Sequence, residues 1–358
     1  MNHDSPLATP ALPRTAVEFQ LAQIWEDVLG RHPIGIEDDF FQIGGDSLSA
    51  MTLLVRVAQE TQYALPAGGI FQAPTIEKLA RFLQEKAQPD QWSPLVPIKP
   101  SGSRPPFFCV HPGGGNVLCY VQLSRWLHAE QPFYGLQAAG VDGIREPLAS
   151  VENMAREYVA AIRQVQPRGP YFVGGWSVGG VLAYEMAQQL VNVGERVATI
   201  TILDSGILYT QALLTSLFAE NSLLGLDILR QPFPIQLAAF RRHSAAAALV
   251  PNSADEQIAA RIYRVFLANI RAILQYRPRP WQGRLDLLQA NELIVRERFE
   301  PYREWLQVAP RVELHRIPGN HLTMVQPPYV EATASALDRA LQEAQEDGCL
   351  SGSPRRPR

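Results

Sequence analysis

A serine between two glycines is the first group in the sequence that is placed to do chemistry. Residues 175–179 read Gly-Trp-Ser-Val-Gly, directly after the apolar run 171–173 and before a helical apolar pattern. Glycine two residues to either side permits a sharp turn from strand to helix, because a side chain there would collide with the turn. The turn holds the serine hydroxyl clear of the sheet. The pattern therefore predicts that Ser177 is a nucleophile rather than an ordinary serine in a glycine-rich turn.

Two backbone amides are candidates for the oxyanion site that such a nucleophile needs. The amide of Val178 would open the helix after the serine, where the aligned peptide dipoles favour a developing negative charge. A second amide is expected from His-Pro-Gly-Gly-Gly at 111–115, with Gly113 as the first choice and Gly114 as the second. His111 is a candidate for lining the same loop. The triglycine has neither the GxGxxG nor the Walker spacing of a phosphate cradle.

A histidine must take the proton of the serine before it can attack. His321 stands in Pro-Gly-Asn-His, after the last apolar run of the chain and before a closing helical pattern. His315 lies inside that run and is expected to be a packed or surface side chain. We predict that His321 is the general base.

An acid must hold the histidine in the correct tautomer, and two carboxylates at strand ends compete for this role. Asp204 closes the apolar run 199–203, and Glu292 lies just past the run 285–288. On the residues alone we favour Asp204, because a buried strand that runs straight into Asp-Ser-Gly places the carboxylate at the carboxyl edge of the sheet. Asp286 is expected only to face solvent.

A second serine of interest, Ser47, ends the segment Asp-Phe-Phe-Gln-Ile-Gly-Gly-Asp-Ser at 39–47. A purely structural interpretation is available, in which the glycines turn the chain, Asp46 or Ser47 caps a helix and the phenylalanines fill a core. A functional interpretation adds that the free amides and dipole of a helix start stabilise a phosphate ester there. The residues alone do not choose between the two.

The elements that must position these groups form two patterns along the chain. From residue 107 onward, short apolar runs alternate with helical patterns, which indicates a parallel sheet with crossover helices. The predicted strands are 107–110, 133–136, 171–173, 198–203, 285–288 and 312–314. Residues 207–276 break the rhythm with a mostly helical stretch that we interpret as a lid over the active site. Its helical pattern is Ile258, Ile262, Val265, Phe266, Asn269 and Ile273.

The N-terminal part predicts a small helical bundle over residues 15–87. A capping box at Thr15 and Glu18 opens the first helix, and a second begins at Ser47. The buried candidates of the second helix are Leu48, Met51, Leu54, Val55 and Ala58. Residues 88–106 are rich in proline, glycine and serine and are predicted to be a linker without regular structure. The hydrolase-like domain is predicted over residues 107–345.

These motifs resemble two known families. The segment 39–48, with Leu-Pro at 65–66 and Ile-Phe-Gln-Ala-Pro-Thr-Ile at 70–76, resembles the peptidyl carrier (thiolation) domain of non-ribosomal peptide synthetases. The larger, C-terminal part of the chain is similar to the type I thioesterases that end such synthetases. The similarity lies at His-Pro-Gly-Gly (111–114), the serine turn (175–180), Leu-Asp-Ser (203–205) and Gly-Asn-His (319–321). The resemblance implies an α/β-hydrolase with a helical lid, preceded by a small all-α four-helix carrier domain.

The resemblance also implies a function. Ser47 would carry 4'-phosphopantetheine installed by a phosphopantetheinyl transferase, and Asp204 rather than Glu292 would be the acid. The activity would be release of an acyl or peptidyl thioester by hydrolysis or cyclisation through an acyl-serine on Ser177, in non-ribosomal peptide or mixed polyketide synthesis.

Upstream condensation and adenylation modules would be partners, in the same chain or as separate proteins, and Pro13-Arg14-Thr15 looks like the join after an adenylation domain. The alternatives are a stand-alone or editing hydrolase with an unmodified docking domain, and a carrier module without catalysis.

Composition narrows the remaining classes of partner. The 358 residues carry a formal net charge of −3, and the only dense basic run is the tail at 354–358, so neither a nucleic-acid nor a membrane surface is indicated. The three cysteines, Cys109, Cys119 and Cys349, show no metal or disulfide spacing. The start of the sequence lacks a signal-peptide pattern. We expect a cytoplasmic protein without a bound metal.

Overall fold

The computed structural model describes residues 11–61, 69–85, 92–207, 231–246, 256–292 and 300–350. The chain divides into two compact units between Trp92 and Ser93. The domain boundaries 15–87, 88–106 and 107–345 stay predictions.

The first unit is helical, as predicted. Its helices are α1 (Ala16–Leu29), α2 (Ser47–Thr61), α3 (Gly69–Gln72) and α4 (Ile76–Glu85). The capping box is present, because Thr15 accepts from the amide of Glu18 and the Glu18 carboxylate accepts from the amide of Thr15. The ring of Phe40 is fully buried and meets Trp25 edge-on at 4.9 Å between centroids. The two-phenylalanine motif therefore forms part of the core of this unit.

The predicted buried face of α2 is wrong. Ala50, Leu53 and Val57 are fully buried, whereas the predicted Met51, Leu54 and Val55 are only half-buried. The side chains of two further predicted residues, at positions 48 and 58, lie outside the described part of the chain. Apolar residues cover more than one face of this helix, so periodicity alone does not determine which face meets the core.

The second unit is built on a seven-stranded sheet in the order β1-β3-β2-β4-β5-β6-β7. The strands are β1 (Leu95–Lys99), β2 (Phe107–Val110), β3 (Phe133–Leu136), β4 (Tyr171–Trp176), β5 (Val197–Leu203), β6 (Leu285–Glu292) and β7 (Val312–Asn320). All six predicted strands are present and pair in parallel. Strand β1 lies inside the predicted linker and pairs antiparallel with β3. The prediction that residues 88–106 have no regular structure is therefore wrong. Its Pro97 is tolerated because β1 is an edge strand, which has one unpaired side.

The helices of this unit are α5 (Tyr120–Trp126), α6 (Val151–Val165), α7 (Val178–Asn192), α8 (Phe233–Ala246), α9 (Glu256–Gln275), α10 (Pro301–Leu306) and α11 (Val330–Leu350). Helices α6 and α7 pack together, and α7 lies against the central strands β2, β4 and β5. The apolar residues beneath them form the main core. Helices α8 and α9 lie within the predicted lid, of which residues 208–230 and 247–255 fall outside the described part.

Asp286 does not face solvent, which corrects the prediction for this residue. It is fully buried in β6 and accepts hydrogen bonds from Thr199 (2.6 Å) and from Nε of Arg284 (2.8 Å), with His315 Nε2 at 3.1 Å. Burial alone would raise the pKa of Asp286, but the hydrogen bonds from His315, Arg284 and Thr199 outweigh it and lower the pKa. His315 is accordingly a packed side chain with a structural partner.

Replacing Asp286 with asparagine is expected to destabilise the second unit by about 2 kcal/mol, because Thr199 and His315 lose an anionic buried acceptor, while Arg284 retains the exposed carboxylates of Glu343 and Asp347. The control is Asp338→Asn, which breaks the partly exposed pair with Arg104 and should cost less than about 1 kcal/mol. Urea unfolding followed by circular dichroism measures both. Equal, small effects of the two substitutions would contradict a structural role for the buried carboxylate.

Candidate active site

Four parallel strands bring the predicted catalytic groups to one edge of the sheet. The loop at 111–115 follows β2, Ser177 follows β4, Asp204 follows β5 and His321 follows β7. Since parallel strands end at the same edge, these four segments converge at the carboxyl side of the sheet, where sites of open α/β folds form.

Ser177 occupies a strained turn between β4 and α7. Its backbone has φ 57° and ψ −128°, which a residue with a side chain seldom adopts. A Cβ on Gly175 would collide with the backbone of Gly179, and one on Gly179 would collide with the carbonyl of Val110. The predicted collision with the turn itself is therefore found for Gly175, whereas at Gly179 the obstacle is the end of β2.

Asp204 and His321 form a hydrogen bond of 2.9 Å between Oδ2 and Nδ1. The second carboxylate oxygen of Asp204 accepts from the amide of Ala290 at 2.9 Å, and the side chain is buried. Trp305 donates to the carbonyl of Ser205, which fixes the chain just after the aspartate. Glu292, the competing acid, is exposed at the end of β6. The geometry thus favours Asp204.

Trp176 joins the histidine to the serine turn. Its indole Nε1 donates to the carbonyl of His321 at 3.0 Å, and the two rings lie 5.4 Å apart between centroids. Among the described residues no hydrogen bond connects Ser177 Oγ with His321, and such contacts often tighten only when substrate is bound. The structure thus places His321 against Trp176, the residue that precedes Ser177.

The glycine loop lies against the start of α7. A Cβ on Gly113 would be 3.8 Å from Cγ2 of Val178, whereas a Cβ on Gly114 would meet Ile262 and Asn116 instead. The amide of Val178 is the first of its helix and has no acceptor within the helix. This proximity supports the choice of Gly113 over Gly114 as the partner of Val178.

His111 supports the loop through a fully buried ring. Its Nδ1 lies 2.8 Å from the carbonyl of Pro112, and its Nε2 lies 2.7 Å from the hydroxyl of Tyr158. Burial lowers the pKa of His111 to about 4, so the ring is neutral at pH 7. Because a carbonyl only accepts, Nδ1 carries the proton and Nε2 accepts from Tyr158. The ring orients the loop and is too deeply buried to line the site.

Sequence reasoning missed three side chains that support this site. The hydroxyl of Tyr120 donates to the carbonyl of Val110 and accepts from the amide of Trp176, which ties the ends of β2 and β4 together. Tyr158 and Asn269 both hold the glycine loop. Only Asn269 left a signal in the sequence, as a single amide within an apolar helical pattern.

The start of α2 in the first unit fits a phosphopantetheine group. Ser47 is the first residue of this 15-residue helix, and Asp46 caps it by accepting from the amide of Ser49 at 2.8 Å. Gly44 has φ 112° with open space around it, and a Cβ on Gly45 would collide with Phe40. The dipole of the helix start stabilises an anionic ester, and Gly44 leaves open space beside it, while Gly45 lets the turn pack on Phe40.

Comparison with known proteins identifies both units. The thioesterase domain family matches residues 105–341, which is more than half of the chain. The chain belongs to the thioesterase family. The phosphopantetheine attachment site family matches residues 20–83, so the first unit is a phosphopantetheine-binding domain. Both resemblances stated from the motifs are confirmed, and the second unit is a serine thioesterase with the α/β-hydrolase fold.

The relatives of this thioesterase are long synthetases. A dimodular nonribosomal peptide synthase of Bacillus subtilis (strain 168) is 31% identical over 92% of this chain and 14% of its own length. Malpibaldin synthetase of Mortierella alpina is 42% identical over 54% of this chain and 4% of its own length. The chain therefore spans less than a sixth of the length of either relative.

Solved structures agree with the fold. The four-domain nonribosomal peptide synthetase holo-AB3403, bound to AMP and glycine, has a TM-score of 0.61 at 26% identity over 92% of this chain and 26% of its own. The NocB thioesterase domain, in covalent complex with a fluorophosphonate nocardicin G analogue, has a TM-score of 0.53 at 26% identity over 69% of this chain and 99% of its own.

Two kinds of feature are missing from the described parts of the chain. None of the helices there is long and apolar enough to cross a membrane. Across the same residues, no group of three or more histidine, cysteine, aspartate or glutamate side chains is arranged to hold a metal ion.

Asp204→Asn is expected to lower kcat for an acyl thioester by about a thousandfold or more, because the amide stabilises the wrong histidine tautomer and cannot balance the imidazolium charge. The matched control is Glu292→Gln, which should stay within about twofold of the wild type. Steady-state kinetics on both variants measures the difference. A reversed ranking would assign the acid to Glu292.

The buried neutral His111 should make the stability of the thioesterase unit fall in mild acid. Its folded pKa of about 4 lies below the ordinary 6.5, so the unfolded chain binds the proton first. This contribution is complete above pH 6.5 and is lost as the pH falls towards 4. Between pH 7 and 5 the wild type should lose about 2 kcal/mol more unfolding free energy than His111→Asn. An equal loss of unfolding free energy in the wild type and in His111→Asn, measured by urea unfolding at the two pH values, would contradict this assignment.

Proposed function

We propose that this chain releases an acyl or peptidyl group from a phosphopantetheine thioester, by hydrolysis or cyclisation, in nonribosomal peptide or mixed polyketide synthesis. One observation carries the proposal. The hydrogen bond between Asp204 and His321 lies at the same sheet edge as the Ser177 turn, in a chain whose other unit belongs to the phosphopantetheine attachment family. The names of the synthetase relatives support the same pathway class.

His321 is assigned the proton transfers. With Nδ1 hydrogen-bonded to Asp204, Nε2 is the nitrogen that takes the proton of Ser177 as the oxygen attacks the thioester carbonyl. Asp204 then stabilises the imidazolium. His321 returns the proton to the departing sulfur, so that a carbon–oxygen bond replaces the carbon–sulfur bond and an acyl-serine remains.

Val178 and Gly113 are assigned the oxyanion. Their amides stabilise the negative charge that develops on the carbonyl oxygen in both the acylation and the release step. In the release step His321 takes a proton from water, which gives a free acid, or from an amine or hydroxyl of the acyl chain, which gives a ring. Ser177 recovers its proton and the site is restored.

Ser47 is assigned as the attachment residue. The bound group would supply a flexible thiol that holds the acyl chain as a thioester. Its partners would be a phosphopantetheinyl transferase, which modifies Ser47, and upstream condensation and adenylation modules, which deliver the acyl chain within a longer polypeptide or from a separate protein. We place this activity in the cytoplasm.

The test is the intact mass of the full chain after incubation with a phosphopantetheinyl transferase and an acyl-coenzyme A. The wild type and Ser177→Ala should both gain the mass of a phosphopantetheine group on Ser47. The acyl group on it should persist only in Ser177→Ala, which lacks the proposed nucleophile. Ser47→Ala is the control and should gain no increment.

Two outcomes would overturn parts of the proposal. An unmodified Ser47 would favour a stand-alone or editing hydrolase with a docking domain. Release of the acyl group by Ser177→Ala at the wild-type rate would remove Ser177 from the mechanism.

A further inference from the structure

Helix α9 of the lid region lies directly on the glycine loop. A Cβ on Gly113 would lie 3.0 Å from the ring of Phe266, and one on Gly115 would lie 2.5 Å from Val265. A Cβ on Gly114, between these two, would lie 3.7 Å from Ile262. These α9 residues share one helical face, because Val265 and Phe266 follow Ile262 by three and four positions. The glycines therefore also permit the close approach of the lid helix.

Asn269 continues this face by one turn, and its side chain donates a hydrogen bond to the loop. Its side chain is 1% exposed, and Nδ2 donates to the carbonyl of Gly113 at 2.9 Å. A buried amide in an apolar helix face is costly unless it is bonded, so this contact is the reason that the polar side chain is tolerated there.

The peptide that Asn269 holds has little steric constraint of its own. It joins Gly113 to Gly114, so no Cβ on either side hinders its rotation. The preceding peptide is held differently, since the carbonyl of Pro112 accepts from both His111 and the amide of Gly115. Without the bond from Asn269 this peptide could rotate, and a carbonyl that turned towards a developing oxyanion would repel its charge.

We propose that Asn269 is a positioning residue of the oxyanion site, which from the lid helix fixes the peptide between Gly113 and Gly114. The inference rests on the proposed function of Ser177 and the Gly113 amide. Because a trans peptide directs its C=O and N–H in opposite directions, the bond from Asn269 sets the direction of the Gly114 amide as well. Displacement of α9 therefore releases the loop and lowers transition-state stabilisation.

The test compares Asn269→Leu with Tyr263→Phe in the full chain. Leucine has the same heavy-atom branching as asparagine, with a somewhat larger volume and no donor. Tyr263 lies on the same helix and donates to Gln236 of α8 at 2.8 Å, so its substitution removes one lid hydrogen bond that does not touch the loop. Each variant is assayed for kcat and KM on an acyl N-acetylcysteamine thioester, and for inhibition by an alkylboronic acid, which forms a tetrahedral adduct with a reactive serine.

Asn269→Leu should lower kcat about 10- to 100-fold and weaken boronate inhibition by the same factor, with KM within about twofold, because only the tetrahedral state needs the oxyanion amides. Tyr263→Phe should leave kcat and boronate inhibition within about twofold of the wild type. If Asn269→Leu does not fold, Asn269→Asp replaces the donor by an acceptor at almost the same size and should show the same loss at pH 8.

Two results would overturn the inference. One is wild-type kcat and boronate inhibition in the Asn269 variant that is assayed, and the other is an equal loss in Tyr263→Phe, which would indicate general lid packing. A wild type that does not turn over the thioester would instead refute the proposed function, so the two failures are distinguishable.

Discussion

At Ser177 the chain turns from β4 into α7 with a positive φ, a conformation that costs a residue with a side chain on the order of 1–3 kcal/mol. The turn persists because Gly175 and Gly179 have no side chains to keep their backbones apart, and because the amide of Ser177 donates to the carbonyl of Leu203. Gly179 also lies against the end of β2, from which the glycine loop departs. One close approach therefore positions both Ser177 and the glycine loop that carries the proposed second oxyanion amide.

Buried polar side chains then fix the parts that glycine leaves free. His111 is held neutral by burial and orients the peptide before Gly113, while Asn269 orients the peptide after it. Asp204, itself in a positive-φ conformation, is held by the amide of Ala290 and by its bond to His321. Preorganised dipoles of this kind need no rearrangement during the reaction, which is how they contribute to its rate. Helix α9 of the predicted lid is thus in direct contact with the glycine loop.

The sequence was sufficient for local features and insufficient for those that depend on tertiary packing. The Ser177 turn, the six parallel strands and the helical first unit follow from glycine spacing and apolar periodicity, which are local. The antiparallel strand at Leu95 was missed because its prolines indicate a linker, and only its place at the sheet edge makes them tolerable. Asp286 was misjudged because its partners Thr199 and His315 are distant in sequence. The hydrogen bond from Asn269 to Gly113 joins residues 156 positions apart, so apolar periodicity could not predict it either.

The most direct test of this account is a crystal structure of the full chain with an acyl-like phosphonate bonded to Ser177, since the phosphonyl oxygen occupies the place of the oxyanion. The account predicts that this oxygen accepts hydrogen bonds from the amides of Val178 and Gly113 at about 2.7–3.1 Å, with Asn269 still bonded to the carbonyl of Gly113. An adduct on another residue, or an oxygen directed away from both amides, would contradict it.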